Sequence, residues 1–174
     1  PKLLANVKRI AVLTVELNRL ALPDVVRVEL EKRATTLSAH TSTRIEGNPL
    51  PLTEVKKLLK ALPSNLRDSE REVVNYNEAL EKLNALLREA PLTLTVKRVL
   101  DIHKTVMKGL LDPYHAGHLR AEPVVVNNPR TGETIYLPPD HQDVKSLLAE
   151  LIAFVLRERD GLDPLILAGL FAHR

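Results

Sequence analysis

The chain has 174 residues, with 25 Lys and Arg against 22 Asp and Glu and a formal net charge of +3, long enough for one helical domain with a real core. Three Tyr, two Phe and no Trp argue against a nucleic-acid binder that stacks bases on aromatic platforms, and interleaved charges favour a solvated surface over a basic groove. The lack of Cys removes disulfides and thiolate metal sites and fits a cytoplasmic location, while no apolar run approaches the ~20 residues that span a membrane.

In chain order, the pattern is mostly helical. At the N-terminus Leu3-Leu4-Ala5 is broken by Asn6 and Lys8-Arg9, so no signal-peptide pattern is expected there. An apolar-periodic segment from Val7 to Leu20 predicts a first helix. Pro23-Asp24 starts a second, with Asp24 as N-cap, running to Glu46. Thr53 is expected to cap a short helix through Val55, Leu58 and Leu59. Ser64 or Asn65 opens a long one through Val73, Tyr76, Ala79, Leu80, Leu83 and Leu86, stopped by Pro91. Thr93 begins another, with Val96, Val99, Leu100, His103, Val106 and Leu110 on one side.

The character then changes. Residues 123–139 hold two β-branched runs around Asn, Pro and Gly, which predicts a hairpin. Val124, Val125, Val126 and Asn127 form its expected first strand, and Thr134, Ile135, Tyr136 and Leu137 its second. Asp140 or Gln142 opens a further helix through Val144, Leu147, Leu148, Leu151 and Val155. Asp163-Pro164 starts the last one, still apolar at Phe171 and followed by His173-Arg174, which reads as an element cut short. The expected fold class is all-α, a helical bundle with one β-hairpin.

One stretch carries chemistry: Ser42-Thr43-Arg44-Ile45-Glu46-Gly47-Asn48. Gly47 and Asn48 tolerate the left-handed conformation that ends helices, and Pro49 and Pro51 forbid continuation. Helix C-termini carry partial negative charge, so Glu46 in the last turn is unfavourable by a few tenths of a kcal/mol to ~1. Ser42, four residues earlier, shares its face. Such an acid is better placed beside a cation. By spacing alone, the same pair is also ordinary surface chemistry.

The stretch resembles the inhibitory motif (S/T)-x-x-x-E-(G/N) of Fic-domain proteins ("filamentation induced by cAMP"), most of which transfer AMP from ATP onto protein hydroxyls. Three further segments resemble the family in order: Asn75-Tyr76-x-x-Ala79-Leu80 at the start of the long core helix, Ile102-His103 followed by Ala116-Gly117-His118-Leu119-Arg120, and Val124 to Pro139 followed by Val144 as the "flap" hairpin and its exit. The resemblance implies a Fic-like bundle with two regions. Residues 1–90 would carry the inhibitory helix, about 24–47, and residues 91–174 the first part of the Fic core with the flap, about 123–138. The family's catalytic signature, H-x-F-x-(D/E)-G-N-x-x-R, occurs nowhere in the sequence. The chain is therefore expected to stop short of its active site and to be inactive alone, with no catalytic residue of its own.

By the resemblance, Glu46 pairs with the second Arg of that signature and keeps it off the γ-phosphate of ATP, Ser42 supports the pose, and Gly47 permits the chain reversal. Arg44 would point to solvent, or compete for Glu46. Glu46 with Val124, Val125, Val126 and Asn127 would lie near the nucleotide. The flap, through Val125, Val126, Asn127, Thr134, Ile135 and Tyr136, would hold a target protein by strand addition; a purely structural hairpin is the other reading. ATP and Mg²⁺ would enter only with the catalytic segment, and a homodimer stays open.

The histidines read modestly. His103 reads as a packing residue, and His115 and His118 as loop residues, so no metal site is expected. Arg120 would brace the flap base, and Tyr76 and Tyr114 read as core or rim aromatics. The leading expectation is the regulatory and target-docking part of an autoinhibited AMP transferase. The alternative is a non-catalytic helical regulator, antitoxin-like or a degenerate member of the family, that binds partners through Glu46 and the flap.

Overall fold

A computed structural model describes residues 2–173; Arg174, where the last helix was expected to run on, lies outside them. Among the described residues seven helices and one two-stranded hairpin follow in the order α1 (Lys2–Arg19), α2 (Asp24–Ile45), α3 (Leu52–Lys60), α4 (Asp68–Glu89), α5 (Val96–Val106), β1 (Val126–Asn127), β2 (Thr134–Tyr136), α6 (Val144–Glu158) and α7 (Pro164–His173). The all-α expectation with one hairpin holds. No helix among the described residues is long and apolar enough to cross a membrane.

The core forms where α2, α3 and α4 meet. Ala39, Leu50, Val55, Leu58 and Val73 are buried together, with Leu59, Leu66, Val74 and Tyr76 packed against them. α4 is the organising element. Its buried Val73 and Ala79 stand about 120° apart around the helix, so a broad face rather than a narrow stripe meets its neighbours. Asn75 extends this order: its side-chain amide donates to Val106 O and Lys108 O, both at 2.8 Å. Val106 O is the last carbonyl of α5, left without an intrahelical partner, and Lys108 O lies just past the helix end.

Several helix starts differ from the sequence expectation. Asp24 is the first residue of α2 rather than its cap; its carboxylate accepts from Arg27 at 2.8 Å. Thr53 lies inside α3, because Pro51 O already accepts from Val55 N–H at 3.1 Å. Ser64 and Asn65 stay in the loop, where Leu66 turns in against the core. α4 starts later, and the Glu70 carboxylate accepts from the Arg67 backbone N–H at 2.9 Å and its guanidinium at 2.7 Å. Arg67 can only donate, so this is half of a reciprocal capping box. Thr95, not Thr93, caps α5, accepting from Arg98 N–H at 3.2 Å, and Leu110 falls beyond that helix. Asp140 accepts from Gln142 N–H at 2.9 Å in a turn that delays α6 to Val144. The start of α7 is as expected: Asp163 accepts from Leu165 N–H at 2.9 Å, with Pro164 in the first helical position.

The hairpin is shorter than expected. Val126 pairs with Tyr136 and Asn127 with Thr134, with an irregularity between them. Val124, Val125 and Leu137 lie outside the strands. In that register Val125 would face Leu137 and Val124 would face Pro138, and the tandem prolines Pro138-Pro139 have no N–H to extend the ladder. The loop is closed by Asn128, whose carbonyl accepts from Gly132 N–H at 2.8 Å and whose side chain accepts from Arg130 N–H at 2.9 Å.

Candidate functional site

The end of α2 is built by backbone hydrogen bonding first. Asn48 N–H donates to Thr43 O at 3.0 Å and Gly47 N–H donates to Arg44 O at 3.1 Å. Gly47 has φ +99°. Together these make a Schellman motif, with Glu46 as the C-cap. Only a residue without Cβ adopts that φ cheaply, and Gly47 has open space around it, so conformation rather than crowding requires glycine here.

Tertiary contacts then fix this turn. Asn48 is buried, and its amide donates to Ser69 O at 2.8 Å and to the Glu72 carboxylate at 2.6 Å. Its Oδ1 accepts from Leu50 N–H at 3.0 Å. One side chain thus ties the end of α2 to the start of α4 and to the strand-like lead into α3. Upstream, Tyr76 Oη donates to Ser42 Oγ at 2.9 Å, and Thr43 is buried with its hydroxyl bonded back to Ala39 O at 2.8 Å. Ser42 is therefore part of the α2–α4 seam.

Glu46 is exposed at the tip of this rigid turn. Among the described residues its carboxylate enters no ion pair and no side-chain hydrogen bond. Arg44 is exposed too and makes no ion pair with it. The result is a carboxylate without an ion pair among the described residues, at the negative end of a 22-residue helix, on a turn whose backbone is fixed.

The flap sits apart in sequence and is braced at its base. The Arg120 guanidinium donates to Glu122 O at 3.3 Å and to Pro139 O, so it clasps both ends of the hairpin segment. All five strand residues are exposed, and the segment presents Val124, Val125, Val126, Ile135 and Tyr136 to solvent. Thr134 Oγ1 donates to Asn127 Oδ1 across the strands at 3.2 Å.

His103 proves to be a bonded packing residue. Its Nδ1 accepts from Gly117 N–H at 2.9 Å, which locks the turn carrying His115 and His118. His103, His115, His118 and Arg120 line one open groove of about 400 Å³ between α5 and α6. Among the described residues no group of three or more His, Asp or Glu converges as a metal cage. Tyr76 is the partly buried aromatic expected of it. Tyr114 is 87% exposed and is neither core nor rim, because its backbone is held in a surface turn by Asp112.

Two residues gained their importance from the fold. In sequence both lay in segments that carry the resemblance, Asn48 as a helix-end signal and Tyr76 as an apolar position, but neither showed its bonding partners. Their partners lie 24 and 34 residues away along the chain, beyond the reach of local spacing.

No protein-family model matches the chain. Among curated proteins it is 26% identical over 146 residues to a protein adenylyltransferase Fic of Culex quinquefasciatus, covering 82% of this chain and 28% of that protein. It is 28% identical over 121 residues to that of Aedes aegypti, covering 68% and 23%, and 25% identical over 147 residues to that of Nematostella vectensis, covering 82% and 33%. The chain therefore spans about a quarter to a third of the length of these relatives. Among solved structures, a Fic domain containing signaling protein from Bacteroides thetaiotaomicron superposes with a TM-score of 0.76 at 20% identity, covering 95% of this chain and 62% of the other. A Fic family protein from Desulfovibrio desulfuricans gives 0.66 at 23% identity, covering 98% and 48%. The ordered motifs, the bundle with its hairpin and these matches agree: the chain is similar in sequence to Fic protein adenylyltransferases and in fold to Fic-domain proteins.

Proposed function

We propose that the chain is the regulatory and target-docking part of a Fic-type AMP transferase, with Glu46 as an inhibitory carboxylate. The observation that carries this is the Glu46 turn. A Schellman cap, the Asn48 anchor and the Tyr76–Ser42 bond hold an exposed acid without a partner among the described residues. An arginine is the natural complement, since its planar fork meets a carboxylate through two charge-assisted hydrogen bonds. In this reading the arginine belongs to the catalytic signature, and pairing keeps it from the γ-phosphate.

The chain's own residues do three things in the proposed reaction. The Glu46 carboxylate withholds the arginine. Ser42, Gly47 and Asn48 set the direction of that carboxylate. The flap residues Val126, Asn127, Thr134, Ile135 and Tyr136 align a target segment by strand addition, while Arg120 keeps the hairpin base closed. The groups that handle Mg²⁺ and the phosphates in the family have no counterpart in this sequence, and no step through the metal is assigned to these residues.

The test is Glu46→Gly in a polypeptide that joins this chain to the catalytic signature. Self-labelling from radioactive ATP is expected to rise at least tenfold. Equal labelling of mutant and parent would remove the inhibitory assignment. The 174-residue chain by itself is expected to transfer no label.

A further inference from the structure

α2 and α3 face each other across an open groove of about 520 Å³. Its charge is one-sided. Lys32 and Arg33 from α2 and Lys56 and Lys60 from α3 line it, against the single carboxylate of Glu29. None of these four cations enters an ion pair among the described residues. The acids that could neutralise them are turned elsewhere. Glu31 of α2 pairs with Arg88 of α4 at 2.7 Å, and Glu54, the one acid in α3, lies 4.0 Å from Arg67.

The apolar part of the lining is Leu37, Leu52 and Leu59, with Leu37 49% exposed. The lining positions on α2 fall at 29, 32, 33, 36 and 37, and those on α3 at 52, 56, 59 and 60. Each set follows helical spacing, so one stripe of each helix borders the groove. The nine residues of α3 give it a length of roughly 13 Å, which accommodates two to three turns of a bound helix.

We infer that this groove docks an acidic amphipathic helical segment of a partner protein. Leucine-type side chains would cover Leu37, Leu52 and Leu59, and flanking carboxylates would meet the four cations, the helix-in-groove mode of recognition. The three lining leucines distinguish this occupant from a compact anion, since no buried polar side chain lines the groove to cradle a phosphate. Charge complementarity sets the polarity of the partner and speeds encounter more than it adds affinity. This surface is independent of Glu46 and of the catalytic reading.

The probe is a fluorescein-labelled 14-residue peptide of Glu and Leu, with leucines at i, i+3, i+4 and i+7 spacing, titrated with the full chain and followed by anisotropy. Binding is expected, weakening steeply with salt. Lys32→Glu with Lys56→Glu is expected to weaken it at least tenfold, and Lys32→Arg with Lys56→Arg to retain it. All four cations are exposed, so folding is kept; Arg33→Glu with Lys60→Glu repeats the test at different residues. Three results overturn the proposal: equal binding by the charge-reversed chains, equal binding of a Lys/Leu peptide, or displacement by inorganic phosphate at matched ionic strength, which would mark a simple anion site.

Discussion

At the residue scale, the end of α2 shows how few side chains set the geometry of the proposed inhibitory turn. Glu46 itself is held by nothing but its backbone. Its direction comes from Gly47 at φ +99° and from Asn48, which spends both amide hydrogens and its oxygen on three partners. Asn48→Ala would strip the donors from Ser69 O and Glu72 and leave Leu50 N–H without its acceptor. An expected loss of about 2–3 kcal/mol follows from leaving buried polar groups unpaired, readable as a shift in the urea midpoint at constant slope. Tyr76→Phe removes only the donor to Ser42 Oγ and is expected to cost about 1 kcal/mol. Gly47→Ala meets no atom within 4 Å, so its cost is backbone strain alone, about 1–2 kcal/mol. In sequence the Gly and its neighbouring prolines made this turn legible. The Asn48 and Tyr76 bonds were not, because both join residues that only folding brings together.

At the element scale, α4 and the turn after α5 carry the remaining predictions. The Arg67 guanidinium and backbone N–H hold the Glu70 carboxyl below its ordinary range, chiefly through the side-chain hydrogen bond. A carboxylate depressed in the folded state contributes stability above its unfolded pKa and loses it as pH falls through the folded value. Fraying of the first turn of α4 is therefore expected on acidification below the usual carboxylate pKa, and Glu70→Gln should flatten that dependence in circular dichroism. Gly117 is tighter. It has φ +83°, and a Cβ there would lie 2.7 Å from Lys104 Cβ and 3.2 Å from Leu100 O. Gly117→Ala is expected to break the N–H bond to His103 Nδ1 and to lower the thermal midpoint by several degrees. For the proposed flap, Val126→Pro in the polypeptide that joins this chain to the catalytic signature removes a backbone donor from an already short ladder and is expected to impair target labelling while sparing nucleotide binding. Unchanged target labelling would count against strand addition. The hairpin itself was legible from its β-branched runs. Its true length was not, since pairing depends on which residues of the opposing strand still carry an N–H.

At the scale of the molecule, the buried cluster belongs to α2, α3, α4 and the segment around Leu50, while no residue of α1 is buried. Val73 and Val55 are the largest fully buried side chains, and Val73→Ala is expected to cost about 2 kcal/mol. Removing residues 1–22 should change the unfolding free energy by less than about 1 kcal/mol, because exposed segments contribute little to a folded core. Sequence alone determined the helical class, the hairpin, the approximate order of elements and the Glu46 turn, because each is written in local periodicity or in residues that punctuate the backbone. Tertiary structure alone decided which helix starts survive, how far the flap pairs, that Ser42 and Asn48 are anchored to α4, and that the cations of α2 and α3 share one groove. Those outcomes rest on contacts between residues distant in sequence, and local spacing does not encode such contacts until burial and hydrogen bonding select one packing.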